Sequence, residues 1–341
     1  MPAKQAAAGN TVIKKKRSPV TGTQRERSRF LHHAAEHIRT QWQLYVMVTP
    51  LVIWLLLYAV KPLFGVSIAF LDYNPFTGME GSKFIGLDNF IELVAGPSKD
   101  QFWRAFRNTV IISVYGILFV FPFPIILALM FHEMRLNKYR QTIQTIVYAP
   151  HFISQVIVCS LVITMLAMDT GIINILIEKF MALFGVEYEH ILFMSEARYF
   201  RAIYILSDIW KEAGFSSIVF FAALCGVPVE LYEAAKVDGA NRLQQIWHIS
   251  IPGIMSTIII MFIIRVGNIL NVGYEKVLLL YNTSVYETAD ILSTFTYRIG
   301  VSTSPNYGLS TASSLINSVV GFAMVVLANR LAKKFSETSM W

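Results

Sequence analysis

Charged residues are scarce in this sequence. Of 341 residues only 15% are charged and 55% are hydrophobic, whereas a soluble domain carries about 25% charged residues. The two cysteines, Cys159 and Cys225, lie in apolar runs, are too few for a disulfide framework and have a spacing that fits no zinc site. The composition therefore argues against a soluble or disulfide-rich protein and favours a chain whose solvent is lipid.

Motifs of catalysis and nucleotide binding are missing as well. The sequence has no G-x-x-x-x-G-K-[ST] loop to cradle ATP phosphates, no H-E-x-x-H metal pair and no G-x-S-x-G nucleophile turn. The pair His132-Glu133 stands alone at the end of an apolar run. We therefore predict that the chain is not an enzyme, carries no cofactor or metal, and does not itself hydrolyse ATP.

Long apolar runs dominate what is present. A helix needs about 20 predominantly apolar residues to cross a bilayer, and the runs of that length are Leu44–Phe70, Phe106–Phe131, Ile146–Met168, Ala202–Val227, Gly253–Leu280 and Ala312–Leu331. In the first run, Pro50 and Lys61-Pro62 indicate a span over Leu44–Val60 and then a kinked or interfacial extension, because proline disrupts helical hydrogen bonding. The predicted fold class is an all-α polytopic membrane protein with six transmembrane helices.

Lysine and arginine are distributed unevenly among the connections. Seventeen lie in the two tails and in the second-to-third and fourth-to-fifth connections, against seven in the connections on the opposite side. Cytoplasmic loops of membrane proteins carry the excess of positive charge. We therefore expect a multi-pass protein of the cytoplasmic (inner) cell membrane with both termini in the cytoplasm. The net charge of +7 needs no nucleic acid to explain it.

The predicted organisation has four parts. Residues 1–43 form a basic cytoplasmic tail that is expected to be disordered and to contact anionic lipid. Residues 44–105 form the first transmembrane helix and an extracytoplasmic loop, and residues 106–331 form the transmembrane core with a cytoplasmic loop at 228–252. Residues 332–341 form a cytoplasmic C-terminal tail.

The cytoplasmic loop has an unusual composition. Its central stretch, YEAAKVDGANRLQQIWHISIP, spans Tyr232–Pro252. Gly239 can adopt the left-handed conformation that ends a helix, and Asn241 can cap a second one. Alanines stand at positions 234 and 235, where a surface helix is usually charged. Because small residues let another backbone approach closely, we interpret the loop as two short helices that form a docking surface.

This stretch resembles the Glu-Ala-Ala loop of binding-protein-dependent ABC importer permeases. In that pattern Glu-Ala-Ala is followed by three residues, a glycine and, roughly a dozen residues later, Ile/Leu-Pro. The matching positions are Glu233, Ala234, Ala235, Asp238, Gly239, Ala240, Ile251 and Pro252. The resemblance implies that they form a coupling helix that sits in a cleft of an ATPase subunit, where ATP-driven motion enters the membrane domain.

Further segments are similar to oligosaccharide and polysaccharide permeases of the maltose-type group. They are Lys61–Phe90, Phe102–Ser113, Ala289–Gly300 and Ala328–Trp341. The resemblance implies a type I ABC importer transmembrane domain, a second homologous permease in a heterodimer, two ATPase subunits, an extracytoplasmic solute-binding protein and a carbohydrate cargo moved by alternating access. A non-sugar solute is the alternative within the family. An ATP-independent channel or sensor is a weaker alternative, because it needs no docking loop, and a membrane-embedded enzyme is weaker still.

Polar residues interrupt the fifth apolar run. They are Arg265, Asn268, Asn271, Tyr274 and Glu275. On one continuous helix they fall near one face, and charge inside a membrane is costly and usually functional. Two interpretations stay open: a translocation path that binds substrate hydroxyls, or a clamp in which Arg265 pairs with a carboxylate of a neighbouring helix or subunit. Asp208, Lys211 and Glu212 form a second intramembrane cluster, for which an Asp208–Lys211 or Asp208–Glu212 contact is a structural interpretation.

Overall fold

The structure is a computed structural model that describes residues 40–268, 272–301 and 304–335. Most of the predicted N-terminal tail, the predicted C-terminal tail from residue 336 onward and the candidate Asn271 lie outside the described residues. The chain forms two compact units, of which the first ends at Gly65 and the second begins at Val66.

The first apolar run is helical but changes its winding along its length. Helix α1 (Trp42–Leu55) contains Pro50 and continues as a π-helical turn at Leu56–Val60. A 3-10 helix follows at Lys61–Phe70 and runs into the second unit. The whole stretch is long and apolar enough to cross a membrane. The winding changes at Leu56 and again at Lys61, and the predicted end of the span at Val60 stays a prediction.

In its described residues the second unit is mainly helical and has one short hairpin. Strands β1 (Leu71–Asp72) and β2 (Lys83–Phe84) pair antiparallel. The α-helices of this unit are α2 (Asp88–Ala95), α3 (Lys99–Tyr115), α4 (Pro122–Glu133), α5 (Asn137–Tyr148), α6 (Gln155–Met165), α7 (Ile172–Ala182) and α8 (Ala197–Cys225). They continue with α9 (Val229–Val237), α10 (Arg242–Gln245), α11 (Ile251–Gly253), α12 (Met255–Gly267), α13 (Tyr274–Leu280), α14 (Tyr286–Ala289), α15 (Leu292–Val301) and α16 (Tyr307–Phe335). Shorter turns of π or 3-10 winding are Gly116–Val120, Ala149–Phe152, Ile246–Ser250 and Thr283–Val285.

The number of helices that can cross a membrane reaches the predicted six only at its upper limit. Within the described residues, three helical stretches can cross a bilayer by length and composition, and up to six if each of three bent helix pairs is one span. The pairs bend by 98° between α5 and α6, by 70° between α8 and α9 and by 63° between α11 and α12. The predicted all-α class is confirmed.

The fifth run differs from its prediction. A continuous helix was expected over Gly253–Leu280, but α12 ends at Gly267 and α13 begins only at Tyr274. Of the described residues expected on one helical face, Arg265 lies on α12, Asn268 follows its end, and Tyr274 and Glu275 lie on α13. The prediction of a single polar stripe is wrong.

Side chains satisfy the backbone where this helix breaks. The Asn268 side-chain amide donates to the carbonyl oxygen of Ile264 at 3.1 Å. On the other side of the break, the backbone N–H of Gly273 donates to the Tyr204 hydroxyl at 3.2 Å. Irregular backbone is tolerated at membrane depth when protein groups or water satisfy its hydrogen bonds. Tyr204 of α8 supplies such a group and so permits the helix break. Hydropathy does not reveal this break, because the run remains apolar.

Close helix packing holds the core of the second unit. Helix α4 packs along α8, where Ala128, Phe220 and Leu224 are buried in one apolar cluster. A Cβ atom on Gly214 of α8 would lie 2.1 Å from the carbonyl oxygen of Val147 on α5. Only a residue without a side chain lets these two helices approach so closely, as is common between membrane helices.

A fully buried carboxylate fastens the segment before α15. Both oxygens of Asp290 accept hydrogen bonds from Arg298, at 2.9 and 2.8 Å. The Thr294 hydroxyl donates to the same carboxylate at 3.0 Å, and Arg104 of α3 lies 3.6 Å away. The hydrogen bonds that Arg298 donates to Asp290 raise the pKa of the Arg298 guanidinium above its ordinary value. We call these four residues the Asp290 clamp.

Candidate functional site

The predicted docking loop begins with a short helix that ends at a left-handed glycine. Pro228 precedes α9, and its acidic neighbour Glu230 lies in the first turn. After α9 the chain turns at Gly239, which has φ of +80°. The N–H of Ala240 donates to the carbonyl oxygen of Ala235 at 2.8 Å and closes this turn. The predicted helix end at Gly239 is therefore present.

The second half of the loop begins with a capping box. The Asn241 side chain accepts from the Gln244 backbone N–H at 2.9 Å, and the Gln244 side chain accepts from the Asn241 backbone N–H at 2.7 Å. Reciprocal bonds of this kind satisfy donors that a helix start leaves free. The chain continues through a π-helical turn to α11, which contains Ile251 and Pro252, and bends before α12.

The outer surface of the loop is small and largely exposed. Glu233, Ala234, Asp238 and Gly239 are exposed, while Ala235 and Ala240 are partly exposed. A depression of about 360 Å³ is lined by Ala235, Asp238, Gly239, Ala240, Gln245 and His248. It can accept a side chain of another protein. Ile251 and Pro252 lie further along and do not line it.

Side chains fasten this loop to the membrane helices. Arg242 forms an ion pair with Glu133 at the end of α4. Inside the loop, the hydroxyls of Tyr232 and Ser250 lie 3.0 Å apart. Glu133 stood out in the sequence only as half of an isolated polar pair, because its partner lies 109 positions away.

A polar cavity of about 400 Å³ lies among α3, α8, α12 and α13. Of the residues predicted for the substrate path, Arg265, Asn268 and Glu275 line it. Sequence analysis missed Tyr204 and Lys276, which also line it. Lys276 follows Glu275 directly in the sequence. The helix break before Tyr274 was the signal needed to assign it to the cavity. We call this space the polar cavity.

Asp208 is the electrostatic centre of the polar cavity. The Lys276 ammonium donates to its carboxylate at 3.1 Å and to the Tyr204 carbonyl oxygen at 2.8 Å. Arg265 approaches the other carboxylate oxygen to 4.0 Å. The Lys276 side chain is 5% exposed, whereas the Arg265 side chain is 44% exposed. Arg265 therefore both lines the cavity and faces a carboxylate of a neighbouring helix.

A second ion-pair cluster lies beside the first. Glu212, which also lines the polar cavity, accepts from Lys211 at 2.6 Å and lies 2.8 Å from the His151 ring nitrogen. The His151 ring stacks on Phe215 with centroids 4.0 Å apart. Asp208 pairs outside its own helix, so the interpretation that pairs it with Lys211 or Glu212 is wrong. Lys211 and Glu212 follow Asp208 at helical spacing, but Arg265 of α12 and Lys276 of α13 come closer to its carboxylate.

A glycine in a π-helical turn makes room for the Arg265 guanidinium. The turn follows α3 and begins at Gly116. A Cβ atom on Gly116 would lie 3.0 Å from the Nη2 atom of Arg265. Turns of this winding interrupt α-helices frequently at functional sites. The turn was not predictable from hydropathy, since the apolar run continues through it.

Two of the predicted path residues are not in the polar cavity as described. Tyr274 points its ring toward Tyr297, with centroids 5.2 Å apart, and lines a different pocket. Asn271 lies outside the described residues. The polar cavity presents carboxylates, a guanidinium, an ammonium, two amides and a phenol, which together can donate to and accept from hydroxyl groups. Among the residues that the structure describes, no group of three His, Cys, Asp or Glu side chains is placed to hold a metal ion.

Comparisons with known proteins agree with this architecture. Residues 120–336 match the family described as "Binding-protein-dependent transport system inner membrane component". The chain is 42% identical over 301 residues to the polygalacturonan/rhamnogalacturonan transport system permease protein YteP of Bacillus subtilis (strain 168), covering 88% of this chain and 91% of that one. Protein LplB of the same organism is 42% identical over 303 residues, covering 89% and 92%.

Solved structures are similar over the same extent. The crystal structure of a bacterial ABC transporter involved in the import of the acidic polysaccharide alginate contains a chain that is 41% identical, with a TM-score of 0.80 and coverage of 89% of this chain and 99% of that one. A second structure, of a bacterial alginate ABC transporter in complex with an alginate pentasaccharide-bound periplasmic protein, gives a TM-score of 0.79. The predicted resemblance and fold class are confirmed. The chain belongs to the family of binding-protein-dependent transport system inner membrane components and is a membrane-embedded permease subunit of an ABC importer.

Proposed function

We propose that this permease forms one half of a heterodimeric pore that imports an oligosaccharide by alternating access. The observation that carries the proposal is the polar cavity, in which Asp208, Arg265 and Lys276 meet beside an interrupted helix. Transporters commonly bind their substrates near the bilayer midplane at such discontinuous helices. The cavity would be closed to one side of the membrane at a time as the helices rock.

The chemistry of the polar cavity supports a sugar as the cargo. Sugar hydroxyls both donate and accept hydrogen bonds, and the cavity offers both kinds of partner at Arg265, Asn268 and Glu275. Relatives and solved structures at 41–42% identity are named for polygalacturonan, rhamnogalacturonan and alginate. An oligogalacturonate is therefore the first cargo to test, and an uncharged oligosaccharide is the second.

The loop at 228–252 is the proposed site of energy coupling. Its depression, formed around Ala235 and Gly239, would receive part of an ATPase subunit, and two such subunits would serve the permease pair. The ion pair of Arg242 with Glu133 ties the loop to α4. A displacement of the loop on ATPase closure would therefore move α4 and, through its long contact, α8.

The orientation follows from the same proposal. The loop faces the cytoplasm, where ATP is available, and both termini lie on that side. The connections that hold Gly185 and the Asp290 clamp face outward, toward a solute-binding protein. The excess of lysine and arginine on the loop side of the predicted spans supports this orientation.

Reconstituted transport tests the proposed cargo and mechanism. The permease is purified with its partner permease, ATPase subunits and binding protein, and placed in liposomes loaded with ATP. We expect uptake of an oligogalacturonate or an uncharged oligosaccharide that requires both ATP and the binding protein. Flux without ATP would indicate a channel, and ATP-dependent uptake of a non-sugar solute alone would contradict the carbohydrate cargo.

A matched pair of glycine variants tests the coupling loop. Gly239 and Gly185 have φ of +80° and +71°, and at both positions an added Cβ would have no atom within 4 Å. Valine strains both turns, because a β-branched residue resists positive φ. We expect Gly239→Val to lose ATPase retention or substrate-stimulated ATP turnover, while Gly185→Val keeps both. Equal behaviour of the two variants would make the loop an ordinary connection.

Cysteine accessibility tests the orientation. In a variant without native cysteines, a cysteine at Asp238 is expected to react with a membrane-impermeant maleimide only from the cytoplasmic side. A cysteine at Glu187, which is exposed in the connection before α8, is expected to react only from outside. Reaction of both positions from one side would refute the proposed six-span topology.

A further inference from the structure

A second pocket, of about 300 Å³, lies between the start of α13, α15 and α16. Its side chains are uncharged, and most of them are polar. They include Tyr274, Ser293, Thr296, Tyr297, Asn317 and Ser318. We call this space the tyrosine pocket. Its lining contrasts with that of the polar cavity, which holds carboxylates and cations.

Two aromatic rings form one wall of the tyrosine pocket. Tyr274 and Tyr297 lie with centroids 5.2 Å apart and ring planes inclined by 57°. Tyr297 is 43% exposed. A tyrosine offers a broad apolar face and a polar tip. That combination suits a sugar ring, which carries C–H groups on its faces and hydroxyls around its rim.

Two buried oxygen atoms of this pocket have no hydrogen-bond partner among the residues that the structure describes. They are Oγ of Ser293 and Oδ1 of Asn317. Buried polar atoms are nearly always paired, so each exception requires an explanation. The neighbouring hydroxyl of Thr296 is satisfied by Ser313 at 2.9 Å. The amide oxygen of Asn317 can only accept, so the group that completes it must be a donor such as a hydroxyl.

The tyrosine pocket and the polar cavity share one structural element. Gly273, Glu275 and Lys276 line the polar cavity, while Tyr274 lines the tyrosine pocket. The first turn of α13 therefore separates a charged site from an uncharged one. An oligosaccharide that extends past this turn would place one ring in the polar cavity and another in the tyrosine pocket.

We propose that the tyrosine pocket is a second sugar site, which binds an uncharged, hydroxyl-bearing ring. The C–H face of the ring packs on Tyr297, and its hydroxyls donate to the Asn317 amide oxygen and the Ser293 hydroxyl after these two buried groups rotate toward the pocket. The assignment of this ring to a transported oligosaccharide rests on the proposed function. The binding of a sugar to the pocket does not, because it follows from the lining alone.

Protection of Tyr297 from nitration tests the proposal directly. The complete complex in nanodiscs is treated with tetranitromethane, and nitration of Tyr297 and of Tyr307 is quantified by mass spectrometry. Tyr307 is 37% exposed and does not line the pocket. Maltotriose at twice its dissociation constant is expected to slow nitration of Tyr297 about threefold. Nitration of Tyr307 is expected not to change, and succinate, which has carboxylates but no ring, is expected to protect neither.

Variants on one helix provide the matched control. Asn317→Leu removes the unpaired acceptor and is expected to raise the half-protecting maltotriose concentration about tenfold. Val319→Leu, at a position of the same helix that is 60% exposed, is expected to leave it unchanged. If Asn317→Leu fails to assemble, the smaller change Ser293→Ala replaces it. This variant is also expected to raise the half-protecting maltotriose concentration.

Several results would overturn the second sugar site. They are equal protection by succinate and maltotriose, no protection by maltotriose, or unchanged protection in Asn317→Leu and Ser293→Ala. Absence of any nitration at Tyr297 in the unmodified complex would mean that another subunit covers the pocket, which also refutes the proposal. Protection without oligosaccharide uptake would refute only the proposed function, and uptake without protection only the second sugar site.

Discussion

Asp290 and Asp208 each have two cationic neighbours, but their surroundings differ. Asp290 is fully buried and receives two hydrogen bonds from Arg298 as well as one from Thr294. Asp208 is 21% exposed and receives one hydrogen bond, from Lys276, while Arg265 stays 4.0 Å away. The first carboxylate is saturated by the protein, and the second keeps accepting capacity toward a cavity.

This difference separates a structural ion pair from one available to a solute. Removing one partner of a buried pair leaves an uncompensated charge, which is strongly destabilising. A carboxylate at the edge of a cavity can instead be solvated, and its partners can exchange a contact for a substrate hydroxyl. We therefore expect changes at the Asp290 clamp to affect folding first, and changes around Asp208 to affect transport first.

The largest expected effect is that of Asp290→Asn. The amide has the size of the carboxylate but leaves the Arg298 guanidinium without its counter-charge. Because that side chain is 29% exposed, we expect a loss at the lower end of the about 3–5 kcal/mol of a fully buried pair. We expect a low yield of folded permease or a large fall in the thermal midpoint, measured by tryptophan fluorescence in detergent. The yield and the thermal midpoint, and not transport, decide this prediction.

An exposed ion pair is the control for the Asp290 clamp. Arg198 and Glu196 form a pair at 2.7 Å with side chains 68% and 38% exposed. Such pairs contribute about 0–1 kcal/mol, so Glu196→Gln is expected to leave the midpoint nearly unchanged. A midpoint that falls equally in Glu196→Gln and Asp290→Asn would remove the distinction between saturated and open carboxylates.

Lys276→Met should have an intermediate effect on stability. It removes a buried ammonium, but Asp208 remains partly exposed and Arg265 can move closer, so we expect a loss of about 1–3 kcal/mol. Uptake should fall strongly, because the cavity loses a donor. The double variant Asp208→Leu/Lys276→Met should recover the midpoint without recovering uptake, since an apolar pair can replace a buried ion pair. Recovery of uptake in the double variant would contradict a role for this pair in transport.

The sequence predicted the helical class, the apolar runs and the ends of the loop helices. These features depend on local composition, such as the glycine at 239 and the capping residue Asn241, which need no distant partner. The bends were not predicted in detail. The 98° bend between α5 and α6 lies within the predicted run Ile146–Met168, and hydropathy reports the length of such a run but not its direction.

The candidate cavity was predicted only in part. Arg265 was identifiable because a charge within an apolar run is conspicuous, and its partner Asp208 was named in a different role. Lys276 was missed, because its assignment depends on the helix break before Tyr274, which the Tyr204 hydroxyl on α8 supports. The tyrosine pocket could not be predicted, since residues far apart in sequence, such as Ser293 and Asn317, line it together.

Arg265→Leu should leave stability almost unchanged while it lowers transport. The side chain is 44% exposed and its ion pair is long, so the midpoint should change by no more than the equivalent of about 0.5–1 kcal/mol. We expect uptake at low substrate concentration to fall about tenfold, the effect of one lost charged hydrogen bond. Ile260→Leu, at an exposed position of the same helix, is the control. A large fall in the midpoint with unchanged uptake would assign Arg265 to helix packing.

The smallest effect, and the sharpest test of the open carboxylate, is expected for Gly116→Ala. Gly116 has helical dihedral angles, so alanine should stabilise the folded protein by about 0.5–1 kcal/mol. Its Cβ would lie 3.0 Å from Nη2 of Arg265, and the flexible guanidinium must shift by a few tenths of an ångström. We expect the KM for uptake to change about twofold, because a shift of this size costs a fraction of a hydrogen bond. Gly321→Ala on α16 is the matched control, since no atom lies within 4 Å of its Cβ. Both variants should show the gain in midpoint, and only Gly116→Ala should change KM. Identical uptake in both would mean that the position of Arg265 does not influence substrate binding, and the contrast between Asp208 and Asp290 would then concern stability alone.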